Sequence, residues 1–175
     1  MFKKLIFFIV TLVLFTNQGN SQSLTSLKEI NKVWAKFYQA FDSLNHQLMA
    51  EIHSKKLIRI SGGKKISDYE TYIGNYKKNF KRARENAISN TISLRFFERI
   101  HTDSIASERG IYKLIRTREQ EKEQVYYGQF HVILIKENNM WKILMDYDSD
   151  EANSIREEEY MKSYGINEFN AFIQK

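Results

Sequence analysis

Val125-Tyr-Tyr-Gly-Gln-Phe-His-Val-Ile-Leu-Ile-Lys136, Glu137-Asn-Asn-Met140 and Trp141-Lys-Ile-Leu-Met-Asp-Tyr-Asp148 form two apolar runs joined by an Asn pair. Asn tolerates the positive φ of a tight turn, so the stretch reads as a long β-hairpin turning at Asn138-Asn139. Counting back from that turn, Lys136 faces Trp141, Leu134 faces Ile143, Val132 faces Met145 and Phe130 faces Tyr147. Side chains alternate along a strand, so these residues share one face, nearly all of it apolar. The other face carries Ile133 with Leu144, His131 with Asp146 and Gln129 with Asp148. The apolar face is expected to meet helices. The mixed face is expected to be the outer one, partly wet or at a subunit contact.

A second hairpin reads from Ile88 to His101 and from Ile105 to Thr117. With a turn at Asp103-Ser104, Arg99 faces Glu108, Glu98 faces Arg109, Phe96 faces Ile111 and Ile92 faces Ile115. Two charge pairs and two apolar pairs from one register support it. Phe97 then lies opposite Gly110, where its ring covers bare backbone.

Helices supply the cover. Leu27, Ile30, Trp34, Phe37, Phe41, Leu44 and Leu48 recur at steps of three and four, an amphipathic stripe opened by a capping box at Ser26 and Glu29. Asn45 restarts a short helix that buries Leu48, Met49 and Ile52. Leu57 to Ser61 is a short strand that turns at Gly62-Gly63. Ser67 and Glu70 cap a further helix carrying Tyr69, Tyr72, Ile73, Tyr76 and Phe80 on one side. Ser154 and Glu157 cap a last helix ending at Gly165, and Phe169, Phe172 and Ile173 dock after it.

The 175 residues suit one domain, and there is no Pro or Cys, so neither disulfides nor proline turns contribute. Met1-Phe-Lys-Lys4, an apolar run from Leu5 to Phe15 and a polar stretch to Gln22 follow the order of a secretory signal peptide. Cleavage is expected before Gln22, leaving no stable membrane anchor; an uncleaved anchor is the alternative. Loss of Lys3 and Lys4 lowers the formal charge from +6 to +4. That excess does not call for nucleic acid.

Helix, short helix, strand pair, helix and four long strands follow one another. Gly128-Gln-Phe-His-Val, Lys136-Glu-Asn-Asn-Met-Trp-Lys-Ile and Asp146-Tyr-Asp-Ser149, with Ala106 and Gly110, stand within that order. Over roughly Leu24 to Ser149 the chain resembles the nuclear transport factor 2-like superfamily, in particular SnoaL-like and related secreted members. The resemblance implies an α+β fold: a curved antiparallel sheet wrapped, cone-like, around the N-terminal and middle helices. The expected division is a signal peptide over 1–21, the domain over 22–149 and a C-terminal helical extension over 150–175.

The superfamily hosts isomerases, dehydratases, cyclases and non-catalytic domains, so fold does not decide function. Catalytic members place carboxylates, His or Tyr inside the cone. The register above turns only apolar groups and Tyr147 inward, and puts His131 with Asp146 outside. The expectation is therefore an exported, non-catalytic domain that binds a small apolar ligand or a protein partner. The ligand-lining residues are expected to be Tyr38, Phe41, Tyr72, Phe130, Met145 and Tyr147. A homodimer is expected through the outer sheet face. The alternative is a SnoaL-like isomerase or hydrolase with acid/base groups in the cone. No catalytic residue, cofactor or metal ligand is assigned. The acids from Asp146 to Glu159 echo a calcium loop, but no single register satisfies its pattern.

Overall fold

A computed structural model of the chain describes residues 23–173. The expected signal segment and its cleavage site lie outside the described residues. Among the described residues, no helix is long and apolar enough to cross a membrane.

Helix α1 (Leu24–Asp42) buries Leu27, Ile30, Val33, Trp34, Phe37, Ala40 and Phe41 on one stripe, as its spacing requires. It starts two residues before the expected capping box. Ser23 is the cap, accepting from the Ser26 backbone N–H, and Glu29 instead accepts from Lys136 and Trp141. Helix α2 (His46–Ile52) is capped by Asn45. Strand β1 (His53–Ser61) turns at Gly62-Gly63, both at positive φ, into β2 (Lys65–Ser67). Helix α3 (Tyr69–Glu85) is capped by Asp68 rather than Ser67, its side chain accepting from the Thr71 N–H.

Strands β3 (Ile88–His101), β4 (Ile105–Arg118), β5 (Gln124–Glu137) and β6 (Met140–Ser149) form the long antiparallel part of the sheet. Seven strands run in the order β2-β1-β6-β5-β4-β3-β7, and every neighbouring pair is antiparallel except β1 with β6. The architecture is the expected α+β fold, with α1, α2 and α3 in the concavity of the sheet. Trp34, Phe96 and Phe130 join the layers, with ring centroids 5.5–5.9 Å apart.

Two bulges change the expected registers. The Asn138-Asn139 turn forms with both residues at positive φ, and Lys136–Trp141 and Leu134–Ile143 pair as expected. Leu144 is then an extra residue on β6, and Ile133 pairs with Met145, Val132 with Asp146 and Phe130 with Asp148. A bulge sets two residues against one, so every side chain beyond it changes face. Met145 and Tyr147 therefore leave the interior, and Asp146 and Asp148 enter it.

On β3, Arg99–Glu108 and Glu98–Arg109 pair as expected, and Phe97 is the extra residue. Phe96 then faces Gly110, and Ile92 faces Leu114 rather than Ile115. Phe97 turns outward, and the ring that covers Gly110 belongs to Phe130, its partner on β5. Arg99 and Glu108 form a fully buried ion pair at 2.7 Å, and Trp34 Nε1 donates to the same carboxylate. Burial pushes the Glu108 carboxyl up, against the pull of Arg99.

The C-terminal extension begins with Glu151, Ala152 and Asn153 at positive φ. Helix α4 (Glu157–Lys162) starts after Arg156, whose N–H donates to Glu159, so Ser154 is not its cap. Gly165 does not stop a helix. With Tyr164 it forms β7 (Tyr164–Gly165), which pairs with Arg95 and Phe96 and covers the free edge of β3. A 3-10 turn at Phe169–Ala171 follows, and Phe172 docks in the core.

Candidate functional site

A cavity of about 420 Å³ opens between α3, β2 and the inner face of the sheet. Phe41, Phe80, Phe130, Val132 and Ile143 make its apolar floor. Lys65, Ser67, Asn75, Asn79 and Asn90 stand among its polar lining. One wall is charged, and that wall exists because of the Leu144 bulge.

On this wall β1 runs parallel to β6 with Arg59 beside Asp146 and Ser61 beside Asp148. Arg59 Nη1 lies 2.8 Å from Asp146 Oδ1, and Nη2 lies 2.6 Å from Asp148 Oδ1. Nη1 also donates to the Asp146 backbone carbonyl, at 3.2 Å. One guanidinium thus bridges two carboxylates two residues apart on a single strand. Asp148 Oδ1 accepts a further bond from the Gly62 N–H at the β1–β2 turn.

Helix α3 supplies the tyrosines. Tyr72 OH donates to Asp146 Oδ2 at 2.6 Å and lies 3.3 Å from the Tyr76 hydroxyl. A hydroxyl has one proton, and the short charge-assisted bond takes it. The contact between the tyrosines is therefore donated by Tyr76. On the far side of Asp146, His53 Nε2 stands 3.8 Å from Oδ2, beyond hydrogen-bond reach. His53 Nδ1 lies 2.7 Å from the Met49 carbonyl, which can only accept, so that nitrogen donates.

Burial works to raise the Asp146 carboxyl, but the Arg59 charge, His53 and the Tyr72 bond outweigh it and hold it at about 2. Burial lifts the Tyr72 and Tyr76 phenols above their usual range, and the Asp146 charge adds to that. The Tyr112 phenol is pushed up to about 12 by burial and by Asp148. The ring of Tyr112 lies against Gly128, where an added Cβ would sit 2.6–2.7 Å from it. The wall is thus a pair of aspartates bridged by Arg59 and braced by neutral phenols.

Solved structures with this architecture are similar along most of the chain. One is a nuclear transport factor 2-like protein from Shewanella oneidensis, at 19% identity, with 71% of this chain and 99% of that one covered and a TM-score of 0.59. A second is a nuclear transport factor 2-like protein with a cystatin-like fold from Novosphingobium aromaticivorans, at 11% identity, with 72% and 82% covered and a TM-score of 0.60. The chain has the nuclear transport factor 2-like fold. A ketosteroid isomerase-like protein from Erwinia carotovora atroseptica is similar at 12% identity, with 73% and 97% covered and a TM-score of 0.56. At such identities the likeness speaks to fold alone. No protein-family model and no curated protein matches the sequence.

Within this nuclear transport factor 2-like cone, Phe41, Tyr72 and Phe130 line the cavity. Tyr38 is half-buried against Phe37 and stands outside the lining. Met145 and Tyr147 are on the opposite face of the sheet, and Tyr147 OH donates to Glu151. His131 and Asp146 do not pair. His131 lies across from Tyr147, with Nε2 3.0 Å from Ser107 Oγ, while Asp146 is inside the cone.

His53, Arg59, Asp146 and Asp148 are the interior residues that the sequence reading missed. A signal existed for three of them. Arg59 shares a face with the buried Leu57 at period two, inside an otherwise apolar run. Asp146 and Asp148 share a face with each other whatever the register. Among the described residues, no group of three or more His, Cys, Asp or Glu is placed to hold a metal ion.

Proposed function

We propose that the protein is an exported small-molecule-binding domain whose ligand occupies the cone. The observation that carries this reading is the Asp146–Arg59–Asp148 bridge at the wall of an open, aromatic-floored cavity. Pockets of a few hundred Å³ with apolar walls and a few fixed polar groups suit small ligands. An apolar body would lie against Phe41 and Phe130, and a polar group would meet the charged wall. Asp146 acts here as a fixed acceptor, because its oxygens are committed to Arg59 and Tyr72 and its affinity for a proton is low.

The two inward carboxylates favour a second reading, an isomerase or hydrolase. Asp148 would then be the proton acceptor, since its side chain is 28% exposed against 11% for Asp146. The outer sheet face carries Met145 and Tyr147 beside Ile133 and the exposed Ile58, and supports the homodimer.

Mass spectrometry of the purified mature protein, with and without denaturation, tests the binding reading. The expected result is a co-purifying small molecule that disappears in Ile92→Trp, a substitution that fills the cavity. Binding of Nile red to the wild type but not to Ile92→Trp is the companion measurement. Equal binding by both proteins would move the ligand elsewhere.

A further inference from the structure

We infer that the cavity selects a protonated amine on an aromatic or aliphatic body and rejects carboxylates. The inference rests on the small-molecule reading above and adds the charge of the ligand.

The Arg59 guanidinium is the natural carboxylate receptor on this wall, but both terminal nitrogens already serve Asp146 and Asp148. A ligand carboxylate would therefore meet a guanidinium whose charge is already shared by two carboxylates. The Tyr72 proton goes to Asp146, and the Tyr76 proton goes to Tyr72. Tyr76 therefore turns oxygen lone pairs, not a proton, toward the cavity it lines. Asp148 Oδ2 accepts no hydrogen bond among the described residues, while Oδ1 takes Arg59 and Gly62. Asp148 Oδ2 is thus a carboxylate oxygen left open on the wall.

The charges and rings of the wall favour a cation. Two carboxylates share one guanidinium on this wall. Lys65 is the other cation of the lining, but it is exposed on the edge strand at the mouth and can turn to water. Tyr76 packs edge-on to Tyr72 and Phe41, with centroids 4.9 and 5.9 Å away. Such rings beside a carboxylate favour an ammonium group through cation–π attraction.

Isothermal titration at pH 7 with phenethylamine, phenethyl alcohol and 3-phenylpropanoate separates the outcomes. The three probes share a body and differ in charge. Phenethylamine is expected to bind at least tenfold more tightly than 3-phenylpropanoate, with the alcohol between them. Asp148→Asn is expected to bring the amine down to the level of the alcohol. Propanoate binding as tightly as the amine would overturn the inference and leave the binding reading standing, and so would an amine preference unchanged in Asp148→Asn. The wild-type ranking stands whether or not the variant folds. Failure of all three probes to bind, with Nile red also excluded, would overturn the binding reading and this inference together.

Discussion

Asp146 sits across from Val132 on the inner face of the central hairpin, and the extra residue Leu144 is what turns its carboxylate inward. Val132 and Asp146 are both buried, so the carboxylate is held away from water beside an apolar neighbour. Such a charge survives only with partners, and Arg59 and Tyr72 are those partners.

Acid should therefore weaken the fold through Asp146. Its folded-state value of about 2 lies below the ordinary 3.8, so the native state favours the ionised form. The stabilisation is complete above pH 3.8 and is lost as pH falls toward 2. A depression of that size corresponds to about 2 kcal/mol. Denaturant melts between pH 5 and 2 should show this loss in the wild type and a shallower one in Asp146→Asn.

Arg59→Met should be costly. It leaves Asp146 and Asp148 facing each other across the wall with no cation between them. Removing one partner of a buried ion pair typically costs about 3–5 kcal/mol, and the exposure of Asp148 places this case at about 3 kcal/mol. Chemical denaturation measures it. A second substitution, Asp146→Asn, should recover part of the loss, because the stranded charge is then gone.

Two glycines should respond with opposite sign. A Cβ at Gly110 would lie 2.0 Å from the Arg95 carbonyl and 2.7 Å from the Phe130 ring. Backbone must move, and Gly110→Ala should cost about 2–3 kcal/mol, in the range of overpacking. Gly74 lies inside α3 with nothing within 4 Å of its Cβ position. Gly74→Ala should raise stability by about 0.5–1 kcal/mol through helix propensity. Thermal melts of the two variants give the comparison.

The homodimer proposed through the outer sheet face predicts a concentration-dependent mass in sedimentation experiments. Ile58 is 50% exposed on that face, beside Met145. Ile58→Glu should yield a monomer with an unchanged melting profile at low concentration. A wild-type monomer at all concentrations would remove the proposal.

The sequence alone determined the elements and their order. The helix stripes follow from spacing, and the hairpins from their turns. Near the turns the registers could be counted directly: Leu134 with Ile143, and Arg99 with Glu108. These are local properties, set by side-chain periodicity and by backbone angles that few residues tolerate. Beyond Leu144 and Phe97 the count went wrong by one residue, and a one-residue slip exchanges the two faces of a strand. A bulge has no local signature in these stretches. The inward turn of Asp146 that it produces is tolerated because Arg59 on a distant strand compensates the charge. Only the tertiary structure brings that partner within 2.8 Å, and so only the tertiary structure decided which residues face the cavity.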